Sequence, residues 1–350
     1  GTGIGIDEKV GPVNLFLATM WRQVEIQLNH ENMKGVNTNY PYKAIIDALL
    51  DTSEAYKEFQ LSTQMFYKDT AKQMDNLDVN EGFVARQELT SQSREAKLEG
   101  SLWLDICQQD RLILNGVHIN LKLWPSSNNF KLMSTTVPPE HKIKIVSCNL
   151  KLCLVTVNPQ IVVAHRNVMK NVPAVYPFLR SDFRTFSMAK SEMNLSIDNL
   201  FNGRVPHRLM VACVNSSAFN GDYSLNPFNF KNYNLSHIDF RVDGSSCPVE
   251  CGFKPNFTKG KENWTEAFLA QNGEKIGNIN WGNGIRLDEF GEGYSIYVFQ
   301  VRSQNDLQKN GLTKLSLSFR EALDEAITVL VYGQFPDLFE IDQFNKLIQS

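Results

Sequence analysis

Histidine and cysteine are scarce in this sequence, and their placement excludes several kinds of site. Six His and six Cys occur among 350 residues, and no two His lie within ten residues of each other. The cluster of imidazole ligands that a cupin-like metal centre needs is therefore missing. Cys247 and Cys251 have the spacing of half a zinc site but no second pair, so we interpret them as incidental residues of a turn. So few cysteines also indicate a reducing compartment.

The sequence also has no excess of one charge and no long hydrophobic run. Its formal net charge of -3 is spread evenly, with 18 Lys and Arg against 18 Asp and Glu in residues 1–175 and 17 against 20 in residues 176–350. Neither half shows the basic excess of a nucleic-acid-binding domain. No apolar run approaches the roughly 18 to 20 residues of a membrane helix, and residues 1–20 lack a secretory signal. We expect no membrane span, no sequence-specific binding of nucleic acid, and a protein made inside the cell and not secreted.

Catalytic motifs are missing as well. The sequence contains no phosphate-binding loop of the Gly-x4-Gly-Lys-Ser/Thr type and no Gly-x-Ser-x-Gly nucleophile elbow. His30-Glu31 is followed by Asn-Met-Lys, so the second His of a zinc-protease helix is absent. We therefore predict that the chain is not an enzyme and has no catalytic residue, cofactor or metal ion.

What the sequence does have is alternation of apolar and polar residues with a period of two, which predicts a chain made mostly of short strands. In the clearest case Leu315, Leu317 and Phe319 alternate with polar residues. Residues 327–333 are apolar on both faces, which predicts a buried strand, and Asn115-Gly116 between two apolar runs predicts a hairpin. Further strands are predicted in residues 24–28, 117–123, 142–157, 184–197, 208–214, 238–242 and 294–301.

The strand pattern is interrupted once, and this interruption divides the chain. It stops at Asn158-Pro159, and residues 160–175 predict a short helix that ends at Pro173. We predict a first unit in residues 1–158, a connector in residues 159–183 and a second unit in residues 184–350. Two short helices, one with Pro41 in its first turn and one capped by Ser53, are predicted inside the first unit.

Two blocks of about 160 residues, each with several short strands and long polar excursions, favour an all-β chain of two sandwiches or jelly rolls over one barrel. The aromatic residues concentrate in Pro- and Asn-rich stretches such as residues 223–233. Aromatic side chains in such a stretch pack the loop onto a sheet or contact a partner subunit.

Long motifs in both halves resemble one family. In the first half they are Gly11-Pro-Val-Asn-Leu-Phe-Leu, Gln23-Val-Glu-Ile-Gln-Leu-Asn, Asn39-Tyr-Pro-Tyr-Lys-Ala and Phe66-Tyr-Lys-Asp-Thr. In the second half they are Phe219-Asn-Gly, Asn226-Pro-Phe-Asn-Phe-Lys-Asn-Tyr-Asn-Leu, Val242-Asp-Gly, Gly293-Tyr-Ser-Ile-Tyr, Val331-Tyr-Gly-Gln-Phe and Glu340-Ile-Asp. In this order they resemble the capsid proteins of Polinton/Maverick elements and adintoviruses. More distantly, the chain resembles the double jelly-roll major capsid proteins of virophages and large DNA viruses.

This resemblance implies two consecutive eight-stranded jelly rolls with a few short helices in loops. It also implies a structural major capsid protein whose homotrimers form pseudo-hexameric capsomers. These capsomers would contact neighbouring capsomers and a penton protein, and tile the icosahedral capsid of a virion. Near-neutral charge agrees with subunits that pack against copies of themselves.

Two alternatives stay open from the sequence. A minor capsid or penton-like protein is normally a single jelly roll, which two strand blocks of similar size disfavour. A jelly-roll carbohydrate-binding protein would place aromatic and Asn residues at loop tips, and the Asn-rich loops are compatible with it.

The long polar excursions are the predicted contact regions of the subunit, because loops between strands carry most lateral contacts. Aromatic side chains dominate the energetics of protein interfaces, and the alternative is that they fasten each loop to its own jelly roll. The regions are residues 60–95, 124–140 and 244–290, and the candidate interface residues are Trp124, Phe253, Trp264 and Trp281.

Overall fold

The first half of the chain combines short strands with several helices. The computed structural model describes residues 5, 8–35, 38–135, 141–247, 251–273, 282–301 and 309–349. The elements of the first half are β1 (Val10–Pro12), α1 (Phe16–Thr19), β2 (Trp21–Leu28), β3 (Glu31–Asn32), α2 (Tyr40–Asp51), α3 (Glu54–Phe59), α4 (Glu81–Thr90), β4 (Ile119–Pro125), α5 (Asn128–Lys131), β5 (Leu132–Ser134) and α6 (Pro159–Met169), with 3-10 turns at Leu61–Gln64, Ser91–Ser93 and Asp105–Gln108.

The second half is richer in strands. Its elements are β6 (Ala174–Met188), β7 (Asn194–Asp198), β8 (Arg204–Val205), β9 (Arg208–Asn215), α7 (Ser216–Asn220), β10 (Leu235–Val242), β11 (Ser245–Ser246), α8 (Thr265–Ala270), α9 (Leu287–Phe290), β12 (Ile296–Gln300), β13 (Lys309–Asn310), β14 (Thr313–Phe319), β15 (Ile327–Ile341) and β16 (Leu347–Gln349). Pairing in this half is antiparallel throughout the described strands.

Two sheets of the second half enclose a hydrophobic core. One sheet has the strand order β11-β10-β14-β7, and the other joins β12, β9, β15 and β16, with β6 paired along the full length of β15. The predicted alternation in β14 is confirmed, because Leu315, Leu317 and Phe319 are buried while the residues between them are half-exposed. They meet Val211 and Val329 of the other sheet in one apolar cluster, which gives a sandwich.

The sheet that contains β9 and β15 is covered on both faces. On the side away from the sandwich core, Met210 and Tyr332 pack in a second apolar cluster with Ile45 and Leu49 of α2. This double burial explains why residues 327–333 are apolar at successive positions, and it confirms the strand predicted there.

Helix α2 lies at the centre of the contact between the two halves. Pro41 stands in its first turn, as predicted, and every residue from Tyr40 to Leu50 is buried. The cap predicted at Ser53 is also confirmed, because its side chain accepts a hydrogen bond from the backbone N–H of Tyr56 at 3.2 Å. A helix that is apolar on most of its surface is typical of a core position, and α2 is more central than an insertion in a loop.

The first half has fewer strands than its sequence pattern predicts. The described residues form two small sheets, β1-β5 and β3-β2-β4. The hairpin predicted at Asn115-Gly116 was wrong: residues 111–114 are not a strand, and β4 pairs with β2 instead. The phenol of Tyr176 explains this, because it accepts a hydrogen bond from the N–H of Leu114 and donates one to the carbonyl of Leu112 at 3.2 Å each, in the place of a strand partner.

Two further predictions concern the stretch between the halves. The helix predicted after Asn158 is confirmed as α6, whose N-cap Asn158 accepts a hydrogen bond from the N–H of Gln160. The strand predicted over residues 142–157 was wrong for the single chain, because these residues lie mostly exposed, in no helix and without a strand partner among the described residues. None of the helices among the described residues combines the length and the hydropathy that a membrane crossing requires.

Candidate functional site

A buried polar network joins α2 to the second half of the chain. The ammonium group of Lys43 lies 2.7 Å from a carboxylate oxygen of Asp47 and 3.2 Å from one of Asp105. Asp105 accepts hydrogen bonds from the backbone N–H and the hydroxyl of Ser181 in β6, at 2.8 and 2.7 Å. The Tyr332 hydroxyl of β15 donates to Asp47 at 2.9 Å. We call these five residues the Lys43 network; they fix the first half against the middle of the β6-β15 pair.

Burial governs the protonation of this network. It raises the pKa of Asp47 to about 6, although the facing Lys43 ammonium acts in the opposite direction. It raises the pKa of Tyr332 well above the usual range, so this phenol stays protonated and donates. Burial disfavours the charged form of Lys43, but the carboxylates of Asp47 and Asp105 outweigh it and raise the pKa of this ammonium.

A second network surrounds Arg86 of α4, which is 0% exposed. Its guanidinium donates to the carbonyls of Pro12 and Tyr67 at 3.0 and 2.7 Å and to the carboxylate of Asp69 at 2.7 Å. Asp69 also accepts a hydrogen bond from the side chain of Asn226 at 3.1 Å. We call this the Arg86 network. Through Asn226 it attaches the Asn-rich aromatic stretch of the second half to the first half.

That aromatic stretch packs within its own chain. Phe228 and Phe230 are buried in the apolar cluster that contains α2. Asp75 of the first half accepts hydrogen bonds from the N–H of Asn226 and the side chain of Asn229, at 2.7 and 2.8 Å. The stretch therefore joins the two halves, which is the intrachain use that the sequence left open.

The four candidate interface residues differ in exposure. Phe253 is 2% exposed and lies 5.0 Å from Phe299, ring centre to ring centre, so it fastens its loop to the sandwich. Trp264 is half-buried; it stacks on Phe257 at 5.1 Å and donates its indole N–H to the carbonyl of Leu287 at 2.8 Å. Trp124 is half-buried on β4. Trp281 lies outside the described residues.

Parts of the three candidate contact regions make contacts within their own chain or lie outside the described residues. Region 60–95 contains α4 and most of the Arg86 network. Of region 124–140, residues 136–140 lie outside the described part, and of region 244–290 residues 248–250 and 274–281 do.

Sequence reasoning missed α4, although Asn80 before it is a recognisable N-cap whose side chain accepts a hydrogen bond from the N–H of Phe83.

Exposed apolar side chains concentrate elsewhere, in residues 141–173, which we call the exposed segment. Ten large apolar residues of this segment are exposed, and no residue of α6 is buried. They are Ile145, Val146, Leu150, Leu152, Leu154, Val155, Ile161, Val163, Val168 and Val172. Ten exposed apolar side chains within one stretch of sequence are typical of an interaction site.

The remaining candidate residues of the sequence are the histidines and cysteines that could bind a metal ion. Within the described ranges, no group of three or more His, Cys, Asp and Glu could hold a metal ion. His237 on β10 lies with its Nε2 atom 2.8 Å from the carbonyl of Cys251, so it joins the turn that holds the two cysteines. The described pockets include one of about 260 Å³ beside Trp264 and one of about 320 Å³ beside Glu321.

Comparisons with known proteins show which folds this architecture resembles. No protein-family model matches the sequence. The chain is 22% identical over 364 residues to the uncharacterized protein F54H12.2 of Caenorhabditis elegans, covering 97% of this chain and 82% of that protein. Among solved structures, a chain of the Sputnik virophage, determined by cryo-EM, superposes with a TM-score of 0.58 at 9% identity, covering 99% of this chain and 77% of that one. The fold is a double jelly roll.

The predicted fold class is thus confirmed, since both halves of the chain are included in one superposition. The Faustovirus major capsid protein is also similar, with a TM-score of 0.49 at 6% identity, and covers 97% of this chain and 73% of its own. In this double jelly roll, the Lys43 and Arg86 networks connect the first half with the second through buried hydrogen bonds.

Proposed function

We propose that this chain is a major capsid protein, the principal wall subunit of a virus-like shell. The observation that carries the proposal is the double jelly roll itself, which spans the chain from end to end and superposes on a virophage chain over 99% of its length. In this proposal residues 1–158 form the first jelly roll, residues 159–183 connect, and residues 184–350 form the second. The chain has no catalytic role, and it resides in the virion.

The subunit acts by being rigid and by pairing with copies of itself. Three chains, each with two jelly rolls side by side, make a pseudo-hexameric capsomer with six similar edges. A shell subunit must transmit lateral contacts without deforming, and the buried hydrogen bonds of the Lys43 and Arg86 networks support this because they cross between the two halves. Neighbouring capsomers and a penton protein are the partners of the complete shell.

Within this function, the sequence motifs favour the lineage of Polinton/Maverick elements and adintoviruses. They run in the same order through both halves, and several of them form the observed contacts. Asn226 binds Asp69, and Asn39 and Tyr40 begin α2.

Light scattering on the purified chain tests the proposal. Three chains of 39.8 kDa each make a particle of about 119 kDa, and this mass is the expected result. A pentamer would instead support a penton-like protein. A strict monomer at every concentration, in particular one that binds a sugar, would contradict a capsid role.

A further inference from the structure

The exposed segment has the sequence of a β-strand but no strand partner in the single chain. From Val146 to Leu154, apolar side chains stand at every second position, and Ser147, Asn149 and Lys151 occupy the positions between them. A residue pattern with a period of two places all of the apolar side chains on one face of an extended chain. Residues 142–157 nevertheless belong to no helix and to no sheet of the described chain.

The backbone of this stretch is free to pair. Within the described part of the chain, residues 142–157 donate and accept no backbone hydrogen bond with one another or with the rest of the chain. Lys151 forms a surface ion pair with Glu99, and Ile143, before the alternating row, packs against the cluster of Phe16, Met20 and Met65. A segment with strand-like alternation and unpaired N–H and C=O groups is a template for addition to a sheet edge. The helix that follows, α6, has 11 residues and none of them is buried. A helix of this length is marginal without packing, so it too lacks its stabilising contacts in the single chain.

The charge of the segment indicates what covers it. Residues 141–173 contain five of the chain's 35 Lys and Arg and none of its 38 Asp and Glu, so the rest of the chain carries a formal net charge of about -8. The segment is therefore attracted to the surface of another copy of the same chain. A lipid or nucleic-acid surface would also attract positive charge, but neither offers the strand edge that the alternation fits.

The same chain presents open strand edges. Among the described strands, β4 pairs with β2 alone, and β7 pairs with β14 alone. Each of these strands lies at the border of its sheet, with one row of backbone groups unpaired by a strand. β7 carries Asp198, whose side chain is 76% exposed and pairs with Lys314 of β14 at 3.0 Å.

We propose that residues 146–154 add as a β-strand to an open sheet edge of a second copy of this chain during assembly. The inference rests on the proposed capsid function and deepens it, because it names the segment through which one subunit binds the next. Assembly then buries the apolar row from Val146 to Leu154 and orders α6 at the same time.

Thiol labelling tests where the segment lies after assembly. Cys148 is exposed in the single chain, and so is Cys107, which lies outside the predicted contact regions and serves as the control within the same molecule. A maleimide is applied to assembled particles and to dissociated chains, and the labelled peptides are quantified by mass spectrometry. We expect Cys148 in the assembled particle to be labelled slower by about tenfold or more, whereas Cys107 reacts at similar rates in both states.

A matched pair of variants tests whether the segment drives assembly. Leu154→Glu introduces a charge on the apolar row, and Leu312→Glu makes the same change at another exposed leucine, the two side chains being 89% and 67% exposed. Neither change removes a buried contact, so both variants keep the circular dichroism spectrum of the parent. We expect L154E to weaken assembly by at least about tenfold and L312E to assemble as the parent does.

The outcomes separate this inference from the proposed function. Stable trimers in which Cys148 reacts as fast as in the single chain, and which L154E forms normally, would overturn the inference and leave the capsid function standing. A parent chain that stays monomeric contradicts both. Protection of Cys148 by vesicles of phosphatidylcholine and phosphatidylserine, without assembly, would identify a membrane as the partner and overturn the inference.

Discussion

At the scale of single residues, the buried charges of this fold depend most strongly on their hydrogen-bond and ion-pair partners. Arg86 makes three hydrogen bonds to groups far away in the sequence, and each of them replaces a contact with water. Removing one member of a buried ion pair leaves the other charge without compensation, and this costs far more than the pair itself contributes.

We therefore expect Arg86→Met to lower the free energy of unfolding by about 3–5 kcal/mol, because Asp69 stays buried without its guanidinium partner. Urea unfolding followed by fluorescence measures the loss. Lys72→Met is the control, since its ion pair with Glu292 is exposed on both sides, and its effect should stay within about 0.5 kcal/mol. Equal losses in the two variants would contradict a structural role for the Arg86 network.

Asp47 gives a prediction about pH. Its pKa is raised to about 6 by burial, against about 3.9 in an unfolded chain. Between these values the folded chain holds a proton that the unfolded chain has released. The stability contributed by this proton is therefore complete below about pH 4 and is lost as pH rises through about 6.

Asp47→Asn is neutral at every pH and should lack this dependence. Between pH 4 and pH 7, the unfolding free energy of the parent should fall by on the order of 2 kcal/mol relative to that of the variant. Urea unfolding at a series of pH values measures the difference. Asp198→Asn at an exposed site is the control, and curves of parent and D47N that run parallel would refute the raised pKa.

Single residues show which contacts the sequence can predict and which it cannot. Ser53 was predicted as a cap because its partner is three residues away, and the structure confirms it. Arg86 could not be predicted, because Pro12 and Tyr67 are brought to it only by the tertiary fold.

At the scale of elements, α4 depends on a close approach that only glycine permits. A Cβ atom on Gly82 would lie 2.4 Å from the backbone carbonyl oxygen of Lys68, nearer than any real contact. Gly82→Ala should therefore destabilise the chain by about 1–3 kcal/mol, although alanine favours helices by about 1 kcal/mol over glycine.

Thermal unfolding by calorimetry measures this effect. Gly282→Ala is the control, because nothing lies within 4 Å of the Cβ atom it would add. A melting temperature of G82A equal to that of the control would show that α4 shifts to make room, and that its position is not fixed by this contact.

Strands that pack at least one face within the chain were predicted best. The alternation in β14 reflects a sandwich face, and the continuous apolar run of β15 reflects burial between the sandwich and α2. Residues 142–157 have an equally strong strand pattern but no strand pairing in the single chain. Alternation of apolar and polar residues predicts which face of a strand is buried, but it does not predict whether the same chain or a second molecule buries it.

At the scale of the whole molecule, the two halves form one body because polar and apolar contacts both cross between them. Ser181 and Tyr332 reach the Lys43 network from β6 and β15, while α2 fills the apolar side of the same sheet. The sequence motifs predicted the double jelly roll through their resemblance to capsid proteins. The small sheets of the first half, β1-β5 and β3-β2-β4, could not be derived from periodicity, because long-range pairing decides them.

Electron microscopy of the purified assembly shows directly whether the chain is a capsomer subunit. We expect class averages with three-fold symmetry and a pseudo-hexagonal outline, made of six lobes that each correspond to one jelly roll. Isolated two-lobed particles at every concentration, or rings with five-fold symmetry, would contradict a role as a capsomer subunit.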